Sequence, residues 1–230
     1  MSIFFVTGTG TEVGKTIVTA AIAALASSVA VLKAAQTGVA DGEAGDTATV
    51  ARLSGVAAVE LARYPEPLAP ATAARRAGAP PVRPKAVAAA AAELAAEHEL
   101  VLVEGAGGLL VRYDDTGGTL ADAAIELSAP VLVVVHAGLG TLNVAALTAE
   151  ALRVRGLRCA GAVIGSWPAA PDLAARCNVA DLPEVMGAPL LGAMPEGAGR
   201  LAPEEFRSVA HRALAPELGG AFEAIEFAGC

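Results

Sequence analysis

No apolar run in this chain of 230 residues reaches the roughly 18 residues that a bilayer-spanning helix needs, so a membrane-spanning role is not expected. Basic charge is scarce too: 16 lysines and arginines stand against 24 acidic residues, a formal net charge of -8. Such a chain repels phosphate backbones and anionic membranes, which sets nucleic acid and membrane surfaces aside as partners. Lysine is rarer still, present only as Lys15, Lys33 and Lys85. Cysteine occurs as Cys159, Cys177 and Cys230, without pairing or metal-ligand spacing, and so sparse and odd a set fits a reducing cytoplasm. Cys159 reads as a strand residue and Cys230 as a tail thiol, both chemically inert. The opening stretch from Met1 to Gly8 lacks the basic start of a signal peptide, and the expectation is a cytoplasmic protein.

What the chain does have is hydrophobic residues, 54% of the total. That is enough to bury a full sheet-and-helix core in one domain spanning residues 1–230, with the tail after about 218 unassigned. Short Val- and Ile-rich runs recur at 3–7, 29–33, 100–104, 131–135, 161–164 and 190–191. Helix-like segments lie between or after them, at 15–28, 46–53, 84–98, 119–128, 141–155 and 203–214. Runs that are continuously apolar, rather than alternating, predict strands buried on both faces. Their alternation with helices predicts an α/β fold, a parallel sheet flanked by helices on both sides. The stretch 64–84, rich in Pro, Ala and Arg, reads as an ordered loop.

The junction of the first strand and first helix carries Val6-Thr7-Gly8-Thr9-Gly10-Thr11-Glu12-Val13-Gly14-Lys15-Thr16. A phosphate-binding loop needs glycines, so that backbone N–H groups converge on phosphate oxygens, and a helix N-terminus, whose free N–H groups favour anions. It also needs a lysine for the outer phosphates and a hydroxyl for magnesium, here Lys15 and Thr16. Five residues separate Gly8 from Gly14, one more than the common P-loop pattern allows.

Three further residues sit where ligands collect, at the C-terminal ends of parallel strands. Lys33 ends the second strand, where a compact cation stabilises a transferring phosphoryl group or holds an anionic acceptor. Glu104 ends the strand Leu100-Val101-Leu102-Val103 and is followed by Gly105-Ala106-Gly107-Gly108; an acid after a buried apolar strand is how P-loop proteins hold the second side of magnesium. Asp46 opens the next helix, either as its N-cap or as a ligand. A second glycine-rich turn, His136-Ala137-Gly138-Leu139-Gly140-Thr141-Leu142-Asn143, feeds another helix N-terminus, either a second anion site or a plain connection. No chemical duty is assigned to His136.

Together these segments resemble the dethiobiotin synthase family of biotin biosynthesis, over nearly the whole chain to about residue 199. The resemblance rests on the long phosphate loop, on residues 33–38, on 104–111, on 138–143 and on Pro189-Leu190-Leu191-Gly192-Ala193-Met194-Pro195, in that order. It implies a homodimeric P-loop enzyme, a magnesium- and ATP-dependent cyclo-ligase. In the family's reaction, 7,8-diaminopelargonic acid takes up carbon dioxide (or bicarbonate) as a carbamate. The nucleotide phosphorylates the carbamate, and the second amine closes the ureido ring. Carried over position by position, Glu12, Val13, Gly14, Lys15, Thr16 and Ile17 would form the nucleotide loop. Thr16, Asp46 and Glu104 would hold magnesium. Lys33, with Lys15 on the phosphates, would be catalytic, and Thr37 would contact substrate. Glu104, Gly105, Ala106 and Gly107 would line the nucleotide site. Leu139, Gly140, Thr141 and Asn143 would receive the substrate carboxylate, across the dimer interface. Gly165 and Ser166 would meet the base, and Pro195, Glu196 and Gly197 align by position with a nucleotide-contacting segment.

The sequence departs from the family pattern in two informative places. Ala34 follows Lys33 where the family has Pro. Gly165-Ser166-Trp167-Pro168 stands where many relatives have an adenine-reading Asn, which leaves base choice open between ATP and another nucleotide such as CTP. Trp167 either stacks on a base or covers the loop. Two other readings are weighed. A fold-related nucleotide switch of the chromosome- or septum-positioning kind would carry an extra lysine early in the phosphate loop, and none precedes Lys15. A carboxylate-amidating enzyme would add a glutamine-hydrolysing domain, for which 230 residues leave no room.

Overall fold

Strands built from β-branched residues and buried on both faces set the architecture. The structure, a computed structural model, describes residues 2–227. Its strands are β1 (Ser2–Gly8), β2 (Val29–Lys33), β3 (Gln36–Thr37), β4 (Ala58–Glu60), β5 (Arg63–Tyr64), β6 (Leu100–Gly108), β7 (Val131–Val135), β8 (Cys159–Trp167) and β9 (Leu190–Pro195). The helices are α1 (Lys15–Leu25), α2 (Asp46–Ser54), α3 (Pro70–Ala77), α4 (Pro84–Ala95), α5 (Leu120–Glu126), α6 (Thr141–Val154), α7 (Leu173–Met186), α8 (Pro203–Ala213) and a final turn α9 (Ala224–Phe227).

Seven strands form one sheet in the order β4-β2-β6-β1-β7-β8-β9, every adjacent pair parallel. In a strand, successive side chains point to opposite faces. Phe5, Val101, Val103 and Val133 therefore enter one hydrophobic layer, with Val87 of α4, Ala124 of α5, Leu152 of α6 and Leu182 of α7. Their neighbours Val6, Leu102, Leu132 and Val134 enter the other, with Val18 and Ile22 of α1, Leu53 of α2 and Phe206 of α8. The helices thus cover both faces, and the C-terminal ends of all seven strands share one edge. β1 lies between β6 and β7, so the chain leaves it toward β2 on one side and reaches β7 on the other; this reversal opens a crevice above β1.

The structure corrects the sequence reading in two regions. Residues 64–84, expected as a loop, include the end of β5 and helix α3. Pro70 stands at the start of α3, where a missing N–H costs nothing, and Gly78 ends it in the left-handed conformation. Helix α7 was not expected. Asp172 Oδ1 caps it, accepting from Ala175 N at 2.7 Å, and it continues through Pro183, a residue that ordinarily ends a helix. The two-residue strands β3 and β5 pair with each other outside the main sheet. Past residue 218 the chain carries α9, whose Phe227 meets the ring of Trp167 edge-on at 4.8 Å. Cys159 lies in β8 as expected, and Cys230 lies outside the described residues.

Candidate active site

The loop from β1 to α1 turns on Glu12 (φ 59°) and Gly14 (φ 95°), both left-handed. It is seated on the end of β8. A Cβ on Gly14 would lie 2.5 Å from Gly165 O; one on Gly165 would lie 2.6 Å from Val134 Cγ1 and 3.0 Å from Gly14 Cα. Only two glycines face to face permit this approach. Thr9 N donates to Val134 O at 3.0 Å, fixing the loop's entry to β7 as well. Lys15 folds back over the loop, and its Nζ donates to Gly10 O at 2.8 Å. Burial and the nearby ammonium of Lys33 lower its pKa to about 8, against the upward pull of Glu104 and Asp46.

Across the crevice, β2 and β6 end side by side, with Lys33 opposite Glu104 in the ladder. Lys33 Nζ donates to Glu104 Oε1 at 2.7 Å and reaches Asp46 Oδ2 at 2.5 Å; Gly105 O accepts from it at 3.3 Å. Thr16 Oγ1 donates to the same Glu104 oxygen at 2.8 Å. Lys33 and Glu104 are buried, while the Asp46 side chain is 36% exposed toward the crevice. Burial alone would lower the pKa of Lys33, but the charges of Glu104 and Asp46 and their hydrogen bonds outweigh it and raise it above the usual lysine value. Asp46 is not the N-cap of α2: that position is Gly45, and Asp46 is the first helical residue, its carboxylate directed at Lys33. The two carboxylates already hold a cation, the Lys33 ammonium, and with the Thr16 hydroxyl beside them they form a set of hard oxygen donors that fits magnesium, an ion that takes few protein ligands and keeps water and phosphate for the rest.

These groups open into a pocket of about 850 Å³. On the loop side it is lined by Thr11, Glu12, Gly14, Lys15 and Thr16, and on the other side by Lys33, Gln36, Thr37 and Asp46. Ala106 and Gly107 line it from β6; Glu104 stands behind them, reaching the site through Lys33 and Thr16. The other expected residues lie apart from this pocket. Val13 is buried under the loop, and Gly165 supports it, with Ser166 exposed beside it. Ile17 meets the next segment instead: a Cβ on Gly199 would lie 2.8 Å from Ile17 Cδ1. Pro195, Glu196 and Gly197 pass there, tied to β8 by Glu196 N donating to Trp167 O at 2.8 Å. Arg52 of α2 donates to the carbonyls of Gly199 and Leu201. Leu139, Gly140, Thr141 and Asn143 do not line the pocket of their own chain; Leu139 is 92% exposed.

Several participants were not legible beforehand. Pro67, Leu68, Ala69 and Pro70 give the pocket an apolar wall. Buried Tyr113 accepts from Ala106 N at 2.6 Å and so holds the β6 extension in place. Buried Asn178 of α7 donates to Ala137 O and Gly138 O, at 2.7 and 3.0 Å, anchoring the turn before α6. Gln36 accepts from Asp46 N at 2.8 Å. Spacing carries no signal for the last three, because each acts on a backbone group elsewhere in the chain.

Comparison with known proteins extends this picture. A family model described as an AAA domain matches residues 3–200. The chain is 76% identical over 222 residues to the ATP-dependent dethiobiotin synthetase BioD of Saccharopolyspora erythraea, covering 96% of this chain and 98% of that protein. It is 66% identical over 232 residues to the protein of the same name from Streptomyces coelicolor, covering 99% and 98%. Among solved structures, a ParA family ATPase from Chlorobium tepidum superposes with a TM-score of 0.56 at 14% identity, over 90% of this chain and 91% of that one. The cell division ATPase MinD of Pyrococcus furiosus gives 0.55 at 19%, over 99% and 96%. At such identities the likeness is one of fold.

Proposed function

The chain belongs to the ATP-dependent dethiobiotin synthetase family, and from that premise we propose how its pocket performs the family's reaction. One amine of 7,8-diaminopelargonic acid takes up carbon dioxide as a carbamate. A carbamate oxygen attacks the γ-phosphorus of the nucleotide, and the bond to the bridging oxygen breaks, releasing the nucleoside diphosphate. The second amine then attacks the carbamoyl carbon, expels phosphate and closes the five-membered ring. This chemistry asks for positioning and charge stabilisation, not for a general base of special pKa. The observation that carries the reading is the Lys33 ammonium, fixed between Asp46 and Glu104 in a pocket shared with the phosphate loop.

Lys15 and the loop N–H groups hold the outer phosphates. Lys33 neutralises the carbamate and the transferring group, and Thr37 contacts the substrate beside it. The wall at Pro67, Leu68 and Pro70 receives the substrate's aliphatic chain. Thr16, Asp46 and Glu104 would hold magnesium, which when bound would neutralise charge on the phosphates. Gly165 and Glu196 lie on the side where the base would rest, and ATP and CTP are the nucleotides to compare. Leu139, Leu147 and Val154 leave an apolar strip exposed on and before α6. In a homodimer this strip is covered, and the turn at 138–143 reaches the substrate carboxylate in the partner's pocket. The chain works as one domain in the cytoplasm. Among the described residues no helix is long and apolar enough to cross a membrane.

Incubation of the protein with nucleotide, magnesium, bicarbonate and 7,8-diaminopelargonic acid, followed by mass spectrometry, tests this directly. Dethiobiotin forms with the wild type and not with Lys15→Ala. Its absence from folded, nucleotide-binding wild-type protein, with CTP and GTP also tried, would overturn the reading.

A further inference from the structure

Helix α2 begins without help from its own N-cap. Gly45 has no side chain to accept a hydrogen bond, and the carboxylate of Asp46 is engaged at 2.5 Å with Lys33. The N–H groups of a first helical turn have no partner within the helix and seek one outside it. The partner for Asp46 N comes from another element: Gln36 Oε1 accepts from it at 2.8 Å.

Gln36 is built for this contact. It is buried, and its backbone N donates to Ala62 O at 2.8 Å, within the β3–β5 pairing. Its Nε2 donates to Thr37 O at 3.2 Å, which turns the amide oxygen toward Asp46. Gly45 is required for the fit, because a Cβ there would lie 2.7 Å from Gln36 Oε1 and 3.0 Å from its Cδ. Gln36 also follows Lys33 by three residues and lines the same pocket. One side chain thus ties the strand end that carries Lys33 to the helix start that carries Asp46.

We propose that Gln36 is a positioning residue, holding Asp46 where its carboxylate meets the cation of the site. This rests on the reading of Asp46 as a magnesium ligand. By accepting from Asp46 N, Gln36 satisfies an N–H of the first turn of α2 and fixes the Asp46 backbone, while the carboxylate stays directed at Lys33 in the pocket.

The test measures Mn²⁺ binding by electron paramagnetic resonance to the full chain saturated with a non-hydrolysable ATP analogue, alongside thermal unfolding. Gln36→Ala weakens Mn²⁺ binding about tenfold, the usual effect of losing a partner that orients a ligand. It leaves metal-free nucleotide affinity unchanged. The double variant Q36A/G45S separates positioning from helix stability: removing the glutamine makes room for a hydroxyl at residue 45, which caps later N–H groups of α2 but not that of Asp46. Melting temperature recovers in the double variant while Mn²⁺ affinity stays low. Unchanged Mn²⁺ affinity in Q36A, or its recovery along with the melting temperature in Q36A/G45S, would overturn the proposal. Asp46→Asn distinguishes the two levels: if it too leaves Mn²⁺ affinity unchanged, the ligand reading itself fails.

Discussion

Gly165→Ala is a demanding test of how the phosphate loop is held, because the residue touches no phosphate-binding side chain. A Cβ at this position would lie 2.6 Å from Val134 Cγ1 and 3.0 Å from Gly14 Cα, with Val13 O closer still, whereas ordinary contact begins at 3.4 Å. Val134 is wholly buried in β7 and has nowhere to go. The yielding part is therefore the loop backbone at Val13 and Gly14, which must retreat by about 1 Å. Overpacking of this kind costs about 1–3 kcal/mol, or roughly 3–9 °C in melting temperature for a chain of this length. The larger effect is on ligand affinity. In the proposed reaction the loop N–H groups would donate to phosphate oxygens, and each charge-assisted bond contributes about 1.5–3 kcal/mol. Weakening one or two of them lowers nucleotide affinity about 10–100-fold. Titration with a fluorescent nucleotide and differential scanning calorimetry measure both quantities, with Ser166→Ala next door as an exposed control expected to stay within about 0.5 kcal/mol of wild type. Wild-type affinity in a folded Gly165→Ala protein would refute the reasoning, since the loop would then not depend on its seat on β8.

Lys33→Ala is expected to abolish turnover while leaving metal-free nucleotide affinity within a few-fold, because Lys15 and the loop amides remain; loss of both together would count against that separation of roles. The same variant strands Glu104, 1% exposed, without its ammonium, and calorimetry should show a destabilisation of about 3–5 kcal/mol. Lys15 sets a pH dependence in the protein free of nucleotide and metal. Its pKa of about 8 lies below the ordinary lysine value of 10.5 that the unfolded chain keeps, so above pH 8 the folded protein binds fewer protons than the unfolded one. The penalty of burying this charge is complete below pH 8 and fades as pH rises toward 10.5, while the charge that attracts phosphate fades with it. Metal-free nucleotide affinity therefore falls above about pH 8, and binding there takes up a proton, read as a buffer-dependent heat in titration calorimetry; the absence of proton uptake would contradict the assignment. Tyr113→Phe leaves Ala106 N without its acceptor at a cost of about 1–3 kcal/mol, and the displaced floor of the pocket raises KM more than it lowers kcat. An unchanged melting temperature would show that the bond is dispensable.

Burial decides which parts of this molecule are legible in its sequence. The sheet is, because strands covered on both faces must be apolar throughout, and Val29–Lys33 and Val131–Val135 announce themselves. Ligand-side residues at strand ends are legible for the same reason: a lysine or glutamate closing a buried apolar run has few structural excuses. Helix α3 was hidden by its length of eight residues and by the prolines on either side of it, and α7 by Pro183 within it. Asp46 shows the limit most clearly. The sequence leaves it as cap or ligand; the structure gives the cap position to Gly45 and satisfies Asp46 N with Gln36, from a two-residue strand that propensity cannot detect. Gly165 is a parallel case: beside the base contact the resemblance implies, it supports the loop from beneath, a relation visible only once β8 lies beside β7.

The two lysines of the site are identical in sequence terms, yet the fold treats them in opposite ways. Lys33 stands between two carboxylates, and their charges overcome the cost of burial, so its ammonium is secured by the protein alone. Lys15 is buried with only a carbonyl for a near partner, and Lys33 repels it, so its pKa falls. An anion placed beside it would raise that pKa again. A chain of net charge -8 binds polyanions by this local arrangement and not by long-range attraction, since charges separated by more than about 8–10 Å are largely screened at ordinary ionic strength. The Lys33 ammonium is thus held by the protein's own carboxylates far into the alkaline range, whereas the Lys15 ammonium, predominant below about pH 8, persists above it only where an anion such as phosphate lies beside it.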